Sequence, residues 1–266
     1  MKRILITGDS GFIGSYLTPL LKKQHNVLGW SLSRGSDIFE DSFRDAVIWA
    51  DVVIHLAAII SVPHSFEHPN ETFITNTLGT ARVLRLCAKY KKKLIYLSTG
   101  AVHFPESSPY AHSKYLAEEL VKSLIGYIPI VIFRIFNVFG PGSNPDAKSI
   151  FHTFATAKEI LVNGTGEQDR DFIHIKDLVP IIKASLSPKW DNKIIEVGTG
   201  KKYTVRWIAE QFAKHRKMKV TYGPKIKEVW SSKADIRMLK KLYKKPLKTN
   251  LEKDIKEMVE YYETAR

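Results

Sequence analysis

The chain has 266 residues, of which 44% are hydrophobic and 26% are charged, with a formal net charge of +14. This composition excludes a disordered chain, and the length suffices for one large domain or two intimate ones with a buried core. A single cysteine, Cys87, excludes an intramolecular disulfide and fits a reducing compartment, so we predict a cytoplasmic protein. The short apolar start and the lack of any run of about 18 apolar residues predict neither a signal peptide nor a membrane span.

The positive charge is concentrated late in the chain, between Lys214 and Lys256. One interpretation is a solvated lysine-rich face. The other is a positive field that attracts polyanionic ligands, such as dinucleotides and nucleoside-diphosphate sugars. Basic stripes interleaved with aromatic residues are absent, as are nucleic-acid motifs, so we do not expect nucleic-acid binding.

Apolar runs alternate with helical patterns from the first residues onward, which is typical of β-α-β units and a parallel sheet. The predicted strands cover residues 4–7, 27–31, 52–56, 94–98 and 130–135, and the predicted helices cover 14–23, 77–89 and 113–124. We therefore predict an α/β fold with a Rossmann-like, doubly wound parallel sheet. Ligands should bind at the carboxyl ends of its strands.

The sequence pattern changes after Asn137, where Gly140-Pro141-Gly142 and Asn144-Pro145 interrupt the alternation of strands and helices. For the remaining chain we predict a smaller C-terminal substrate lobe, from which one strand and one helix return to the main sheet. We predict that residues 1–138 and 172–198 form the dinucleotide-binding domain. Residues 139–171 and 199–266 would then form the substrate-binding lobe.

A glycine loop follows the first predicted strand and contains Gly8, Gly11 and Gly14. Glycines let the backbone turn tightly and approach a pyrophosphate, while the next helix presents unpaired N–H groups to that anion. We predict that this loop, with Phe12 and Ile13, binds a dinucleotide. The alternative is a tight turn that serves only helix–strand packing.

The end of the second predicted strand bears on the choice between NAD and NADP. An acidic residue there would bind the ribose hydroxyls and repel a 2′-phosphate. This chain has Ser31 at that position, followed by Ser33 and Arg34. Hydroxyls and a guanidinium suit a phosphate dianion, so NADP is the predicted cofactor and NAD the alternative. Arg34 could instead be an ordinary loop charge.

Tyr110 and Lys114 are four residues apart and would share one face of a helix. A lysine ammonium beside a phenol should lower the phenol pKa, which would make Tyr110 a general acid/base near neutral pH. Thr99 ends a predicted strand, where its hydroxyl could hold a substrate oxygen against Tyr110. Thr99 could alternatively cap a turn.

Together these stretches resemble the extended short-chain dehydrogenase/reductase family of sugar-nucleotide epimerases and dehydratases. The matching stretches occur in the family's order and are Thr7-Gly8-x-x-Gly11-Phe12-Ile13-Gly14, His55-Leu56-Ala57-Ala58, Asn76-x-x-Gly79-Thr80, Ser98-Thr99, Tyr110-x-x-x-Lys114, Arg134-x-x-Asn137-x-x-Gly140-Pro141-Gly142 and Gly166-x-Gln168-x-Arg170-Asp171-Phe172-Ile173.

The resemblance implies roles for particular residues. It makes Tyr110 the acid/base, Lys114 its partner and a ribose ligand, and Thr99 the hydroxyl that orients the sugar. Further cofactor contacts would be Asp37, Ile38, Leu56, Ala57, Ala58, Asn76, Ile135 and Phe136. Substrate contacts would be Val62, Thr99, Asn137, Arg170 and Lys225. No metal site is expected, and a homodimer would form through the helices at 77–89 and 113–124.

The chain departs from the family pattern in several places. The segment between strand two and Asp37 is short, so a helix and a strand of the usual Rossmann half should be missing. Gly100-Ala101 replaces the acidic pair of the dehydratases, which argues against dehydration. Lys225-Ile226-Lys227-Glu228 stands where the family has an arginine that contacts the nucleotide.

Three functions remain open on the sequence alone. NADPH-dependent reduction of a nucleotide-linked keto sugar is the first, favoured by Ser31, Arg34 and the compact size. A 4-epimerase with retained NAD is the alternative, because the same catalytic residues serve both reactions. A regulatory binder that has lost catalysis is disfavoured by the intact Tyr110 and Lys114.

Overall fold

The computed structural model describes residues 1–143, 149–226 and 228–264. Asn144, Pro145 and Lys227 therefore lie outside the described residues. In the first half, strands and helices alternate as β1 (Arg3–Thr7), α1 (Phe12–Lys22), β2 (Asn26–Trp30), α2 (Ser42–Trp49), β3 (Val52–His55), α3 (Val62–Glu67), α4 (Pro69–Phe73), α5 (Gly79–Lys89), β4 (Lys93–Thr99), α6 (Pro109–Lys122) and β5 (Ile130–Ile135).

The second half has shorter strands. The described elements there are β6 (Val138–Phe139), α7 (Ile150–Thr156), β7 (Ile160–Asn163), β8 (Asp169–Arg170), β9 (Ile173–His174), α8 (Ile175–Ala184), β10 (Lys193–Val197), β11 (Tyr203–Thr204), α9 (Val205–Arg216), β12 (Val220–Gly223), β13 (Ser231–Ser232), α10 (Arg237–Leu242) and α11 (Leu251–Thr264). No helix in the described ranges is long and apolar enough to span a membrane.

A six-stranded parallel sheet in the order β10-β5-β4-β3-β1-β2 forms the centre of the molecule. This arrangement confirms the predicted Rossmann-like α/β class. The register pairs Thr7 with His55 and Thr99 with Ile135, so these strands end at one edge. The candidate site residues that follow the strands are thereby gathered at the carboxyl edge of the sheet.

Both faces of the sheet are covered, which explains why its inner strands read as continuous apolar runs. One face packs against α1, α8 and α10 through residues such as Leu17, Ile181 and Leu239. The other face packs against α2, α5 and α6 through residues such as Phe43 and Val83. A separate aromatic core around Phe151 and Phe212 holds α7, α9 and α11 with the small strands.

Several features differ from the sequence expectations, including helices α3 and α4, which were not predicted. Helix α2 was not predicted, although it makes the crossover from β2 to β3. Helix α6 begins at Pro109, four residues early, because Ser108 accepts a hydrogen bond from the Ala111 N–H and Pro109 suits the first turn. Helix α10 lies in the range predicted for the substrate lobe, yet Leu239 packs against the sheet core.

The shortened Rossmann half is visible at the sheet edge. Only β2 lies beyond β1 on that side of the described sheet, and a short 3-10 turn at Leu32–Arg34 follows it directly. The sheet therefore ends at β2, next to the predicted cofactor residues Ser31, Ser33 and Arg34.

Candidate active site

The glycine loop is packed too tightly for side chains at two positions. Gly8 has φ +70°, and a Cβ there would lie 2.7 Å from the Ala57 backbone nitrogen. A Cβ on Gly14 would lie 2.4 Å from the Gly8 carbonyl oxygen. Gly11 occupies the N-cap position of α1, where no side chain bonds the first N–H groups, and the first turn carries no acidic residue. The first N–H groups of α1 are therefore available to an anion.

Hydroxyl groups connect this loop to the end of β2. The Ser33 hydroxyl donates to Ser10 Oγ at 2.7 Å and lies 3.4 Å from Ser31 Oγ. Arg34 Nε donates to Asp9 Oδ2 at 2.8 Å, and the Asp9 side chain is only 2% exposed. The structure thus commits one edge of the Arg34 guanidinium to a buried carboxylate of the glycine loop.

The remaining predicted cofactor residues surround the same edge of the sheet. Leu56, Ala57 and Ala58 follow β3 directly and are partly buried, with Leu56 N–H bonded to Thr7 O. The Asp37 side chain accepts from the Phe39 N–H in a local turn, while Ile38 is buried in the core under α5. Their contacts with a cofactor remain predictions.

Asn76 holds two segments of this edge together. Its side chain donates to Ile59 O and Ser113 Oγ and accepts from the Ile59 N–H, at 2.8–3.0 Å. The loop after β3 is thereby fixed to α6, the helix that carries Tyr110. This observed role is structural, and a direct cofactor contact of Asn76 stays a prediction.

Thr99, Tyr110 and Lys114 converge at the end of β4 and the start of α6. Thr99 Oγ1 accepts from the Ala101 N–H at 3.2 Å, so it does cap the following turn. Against the larger effect of burial, which raises the pKa of the Tyr110 phenol, the Thr99 side chain is also close enough to lower it. Gly100 is in close contact with the Phe136 ring, which packs over the turn.

The predicted lowering of the Tyr110 pKa is wrong for this structure. Burial raises the pKa of the phenol, and the hydrogen bond with Thr99 opposes that effect. Lys114 instead donates to Leu97 O at 2.8 Å and lies 4.4 Å from the centre of the Tyr96 ring. Burial lowers the pKa of Lys114 to about 7, although the charge of Glu118 raises it.

Lys114 should therefore make stability depend on pH. Its pKa of about 7 is below the ordinary lysine value of 10.5, so the unfolded chain binds more protons between these values. The free energy of unfolding then rises as pH increases through this window. We expect Lys114→Met to stabilise the protein at pH 7 and to remove this part of the rise, as measured by urea unfolding at a series of pH values.

Lys122→Met is the matched control, because Lys122 is a less buried lysine on the same helix that pairs with Glu119. Comparing each variant with the unmodified protein at every pH cancels the titration of other groups. An unchanged pH profile in Lys114→Met would show that Lys114 is not forced towards its neutral form by folding.

Residues predicted to contact substrate occupy two places. Arg170 Nη2 donates to Glu228 Oε2 at 2.8 Å. This bond joins the Gly166–Ile173 stretch to the Lys225–Glu228 stretch, which departs from the family pattern. Lys225 is exposed, with its ammonium 5.9 Å from the Trp230 ring centre. Asn137 donates to Asp171 O, and Val62 is exposed at the start of α3.

A cleft of about 330 Å³ lies where the two parts of the chain meet. Phe136 and His103 line it from the ends of the sheet strands, and Ser231, Ser232 and Lys233 line it from the lobe. Since β13 (Ser231–Ser232) pairs with β8 (Asp169–Arg170), the cleft adjoins the strand that carries Arg170. This places the Phe136 ring and the Arg170 strand around one opening.

Several charged residues that received no predicted role lie beneath this site. Glu118 accepts from Arg134 and Ser98, and Arg134 NH1 also lies 3.7 Å from Glu196. Burial raises the pKa of Glu196, but His103 at 2.6 Å, the Asp235 N–H and Arg134 together hold it below its usual range. Two of them gave a signal: Arg134 begins one of the family stretches, and Glu118 is one helical turn beyond Lys114.

A model of the NAD dependent epimerase/dehydratase family matches residues 4–198. The chain belongs to this family. The predicted family resemblance is thereby confirmed, as is the expectation of an enzyme. The glycine loop fits the family's cofactor, because it leaves no space for a Cβ at Gly8 or Gly14 and presents an uncapped helix terminus.

Relatives across this family act on nucleotide sugars. The chain is 28% identical to a UDP-N-acetyl-alpha-D-glucosaminuronate decarboxylase of Bacillus cytotoxicus, with 98% of each chain covered. It is 30% identical to a putative UDP-glucose 4-epimerase of Methanocaldococcus jannaschii, with 97% of each covered. A solved UDP-glucuronic acid 4-epimerase from Bacillus cereus, in complex with UDP-glucuronic acid and NAD, is 25% identical, with a TM-score of 0.90 over 99% of this chain and 100% of that one.

Proposed function

We propose that this family member is a nucleotide-sugar 4-epimerase that retains its nicotinamide cofactor. The observation that carries the proposal is the combination of Thr99, Tyr110 and Lys114 with a turn at Gly100-Ala101 that has no acidic side chain. This set can move one proton at one carbinol carbon. It supplies no second acid/base for eliminating a neighbouring group, and epimerisation at C4 needs none.

The chemistry assigns a task to each residue. Tyr110 would have to act as a phenolate, which takes the proton of the sugar hydroxyl when the carbon is oxidised and returns it when the carbon is reduced on the other face. Thr99 would hold the same oxygen, because its side chain lies at the end of β4 and interacts with the phenol. A nicotinamide held here would supply the hydride chemistry at the same carbon. Lys114 would bind its ribose, and the glycine loop would bind its pyrophosphate.

The substrate would be a uridine-diphosphate sugar, as in the relatives named above. Arg170 and Lys225 would hold the nucleotide, with Asn137 beside the diphosphate and Val62 near the sugar. Arg170 is paired with Glu228, so the anionic nucleotide would replace or share that contact.

Chromatography of uridine-diphosphate hexoses incubated with the protein tests this function. We expect conversion to a C4 epimer of unchanged mass, without consumption of added cofactor. A product of lower mass would indicate dehydration or decarboxylation. Stoichiometric oxidation of NADPH with a nucleotide-linked keto sugar would establish the reductase instead.

The reductase is the second candidate, because Ser31 leaves the end of β2 without an acidic residue to repel a 2′-phosphate. The bond from Arg34 to Asp9 weighs against it, since the guanidinium edge carrying Nε is not free for a phosphate. We therefore propose NAD as the retained cofactor and NADP as the alternative.

Calorimetric affinities for NAD and NADP are the measurement that separates these cofactors. We expect NAD to bind the unmodified protein at least as tightly as NADP. Asp9→Asn should raise NADP affinity by roughly tenfold, because a released guanidinium can bond a phosphate. Ser31→Asp should lower NADP affinity alone. A clear preference for NADP in the unmodified protein would favour the reductase function over the epimerase.

A homodimer through α5 and α6 is also proposed. Leu116 and Leu120 are exposed one turn apart on α6, and Leu78 and Ile74 are exposed just before α5. Paired apolar residues on one helical face are typical of helix–helix contacts. Leu116→Glu/Leu120→Glu should convert the protein to a monomer in analytical ultracentrifugation. Leu161→Glu, an exposed leucine on β7, is the control that should leave the mass unchanged.

A further inference from the structure

A second cavity, of about 480 Å³, lies in the C-terminal part of the chain. Its walls come from the segment after β10, from α10 and from the loop that leads into α11. None of the residues assigned above to catalysis, cofactor or substrate lines it. Its volume is in the range of small-molecule sites, about 300–1,000 Å³.

Four lysines line this cavity, and no acidic residue does. These lysines are Lys201, Lys240, Lys244 and Lys245. In the part of the chain that the structure describes, none of their ammonium groups has a hydrogen-bond or ion-pair partner. The hydroxyls of Thr199 and Thr249, which also line the cavity, already donate to Asp171 and Asp177. The ammonium groups are thus the charged groups left to bind a ligand, beside the phenols of Tyr203 and Tyr243, and their charge favours an anion.

The floor of the cavity is apolar and aromatic. Phe172, Leu239 and Leu251 are buried there, and the rings of Tyr203 and Tyr243 form part of the walls. A flat aromatic group would find both stacking partners and an apolar surface at this floor. Inorganic phosphate or sulfate alone would leave that surface without a partner.

We propose that this cavity binds a second nucleotide, specifically a nucleoside diphosphate, separate from the nucleotides of the active site. The base would lie on the floor beside Tyr203 and Tyr243, and the phosphates would bind the lysine ammonium groups. A concave site with its cations around one opening suits a small ligand. A nucleic-acid strand would require cations spread along a groove.

The test is calorimetric titration of ADP into protein saturated with NAD. Lys244→Glu/Lys245→Glu should weaken ADP binding by about tenfold or more, because each reversal replaces a charge-assisted contact with repulsion. Lys253→Glu/Lys256→Glu changes the net charge equally on α11, where these lysines pair with Glu257 and Glu260 outside the cavity. This control should retain most of the affinity.

Tyr243→Ala separates the base from the phosphates. It should weaken binding of ADP while leaving binding of inorganic pyrophosphate nearly unchanged. The proposal is overturned if ADP does not bind with NAD present, if the two double variants keep or lose affinity equally, or if an oligonucleotide binds more tightly with an affinity that grows with its length. The assay uses no turnover, so its outcome is independent of the proposed epimerase activity.

Discussion

Tyr110→Phe is expected to lower turnover by about a hundredfold or more, which is typical for the loss of a general acid/base. The phenol is the group that exchanges a proton with the sugar, and Thr99 cannot replace it because a free hydroxyl is a far weaker acid than a phenol. Cofactor affinity should change little, since binding depends on the glycine loop and Lys114. Epimerisation rates and calorimetry with NAD measure the two effects.

Tyr115→Phe provides the control for this substitution. Tyr115 is a partly buried tyrosine on the same helix, with its ring near His112. Removing its hydroxyl tests whether any loss of a phenol from α6 affects activity. Near-normal turnover in Tyr110→Phe, or an equal loss in Tyr115→Phe, would remove Tyr110 from the mechanism.

Much of the fold could be predicted from the sequence because its signals are local. Continuous apolar runs such as residues 52–55 form strands buried on both faces, and the glycine spacing after β1 requires a tight turn into α1. Helix α2 gave a weaker signal, because its eight residues mix apolar and charged positions. Its place became clear only from the pairing of β3 with β1.

The electrostatics of the site could not be predicted, because the partners are distant in sequence. Asp9 and Arg34 are separated by 25 residues, and their bond changes the interpretation of the cofactor. Lys114 was expected to act on Tyr110, but the folded chain places Leu97 O and the Tyr96 ring around its ammonium. Burial raises the pKa of Tyr110 and lowers that of Lys114, and burial depends on the whole fold rather than on the spacing of two residues in the sequence.

Substitution of Glu118 is the second change for which we expect a large effect, here on the stability of the fold. Its side chain is 1% exposed, and it accepts from Ser98 Oγ at 2.5 Å and from two nitrogens of Arg134 at 2.6 and 2.9 Å. The bond from Ser98 links α6, which carries Tyr110, to the end of β4, where Thr99 lies, and the ion pair with Arg134 links α6 to β5. Truncating one member of a buried ion pair leaves the other charge without its partner.

Glu118→Ala should therefore lower the free energy of unfolding by about 3 kcal/mol, at the lower end of the usual 3–5 kcal/mol for such a loss. The lower end applies because Arg134 keeps some solvent exposure and has Glu196 at 3.7 Å. Urea denaturation at pH 7 measures the change. Glu119→Ala removes the neighbouring, more exposed carboxylate and should cost less than about 1 kcal/mol. Equal losses in the two variants would show that the pair between Glu118 and Arg134 does not stabilise this edge of the sheet.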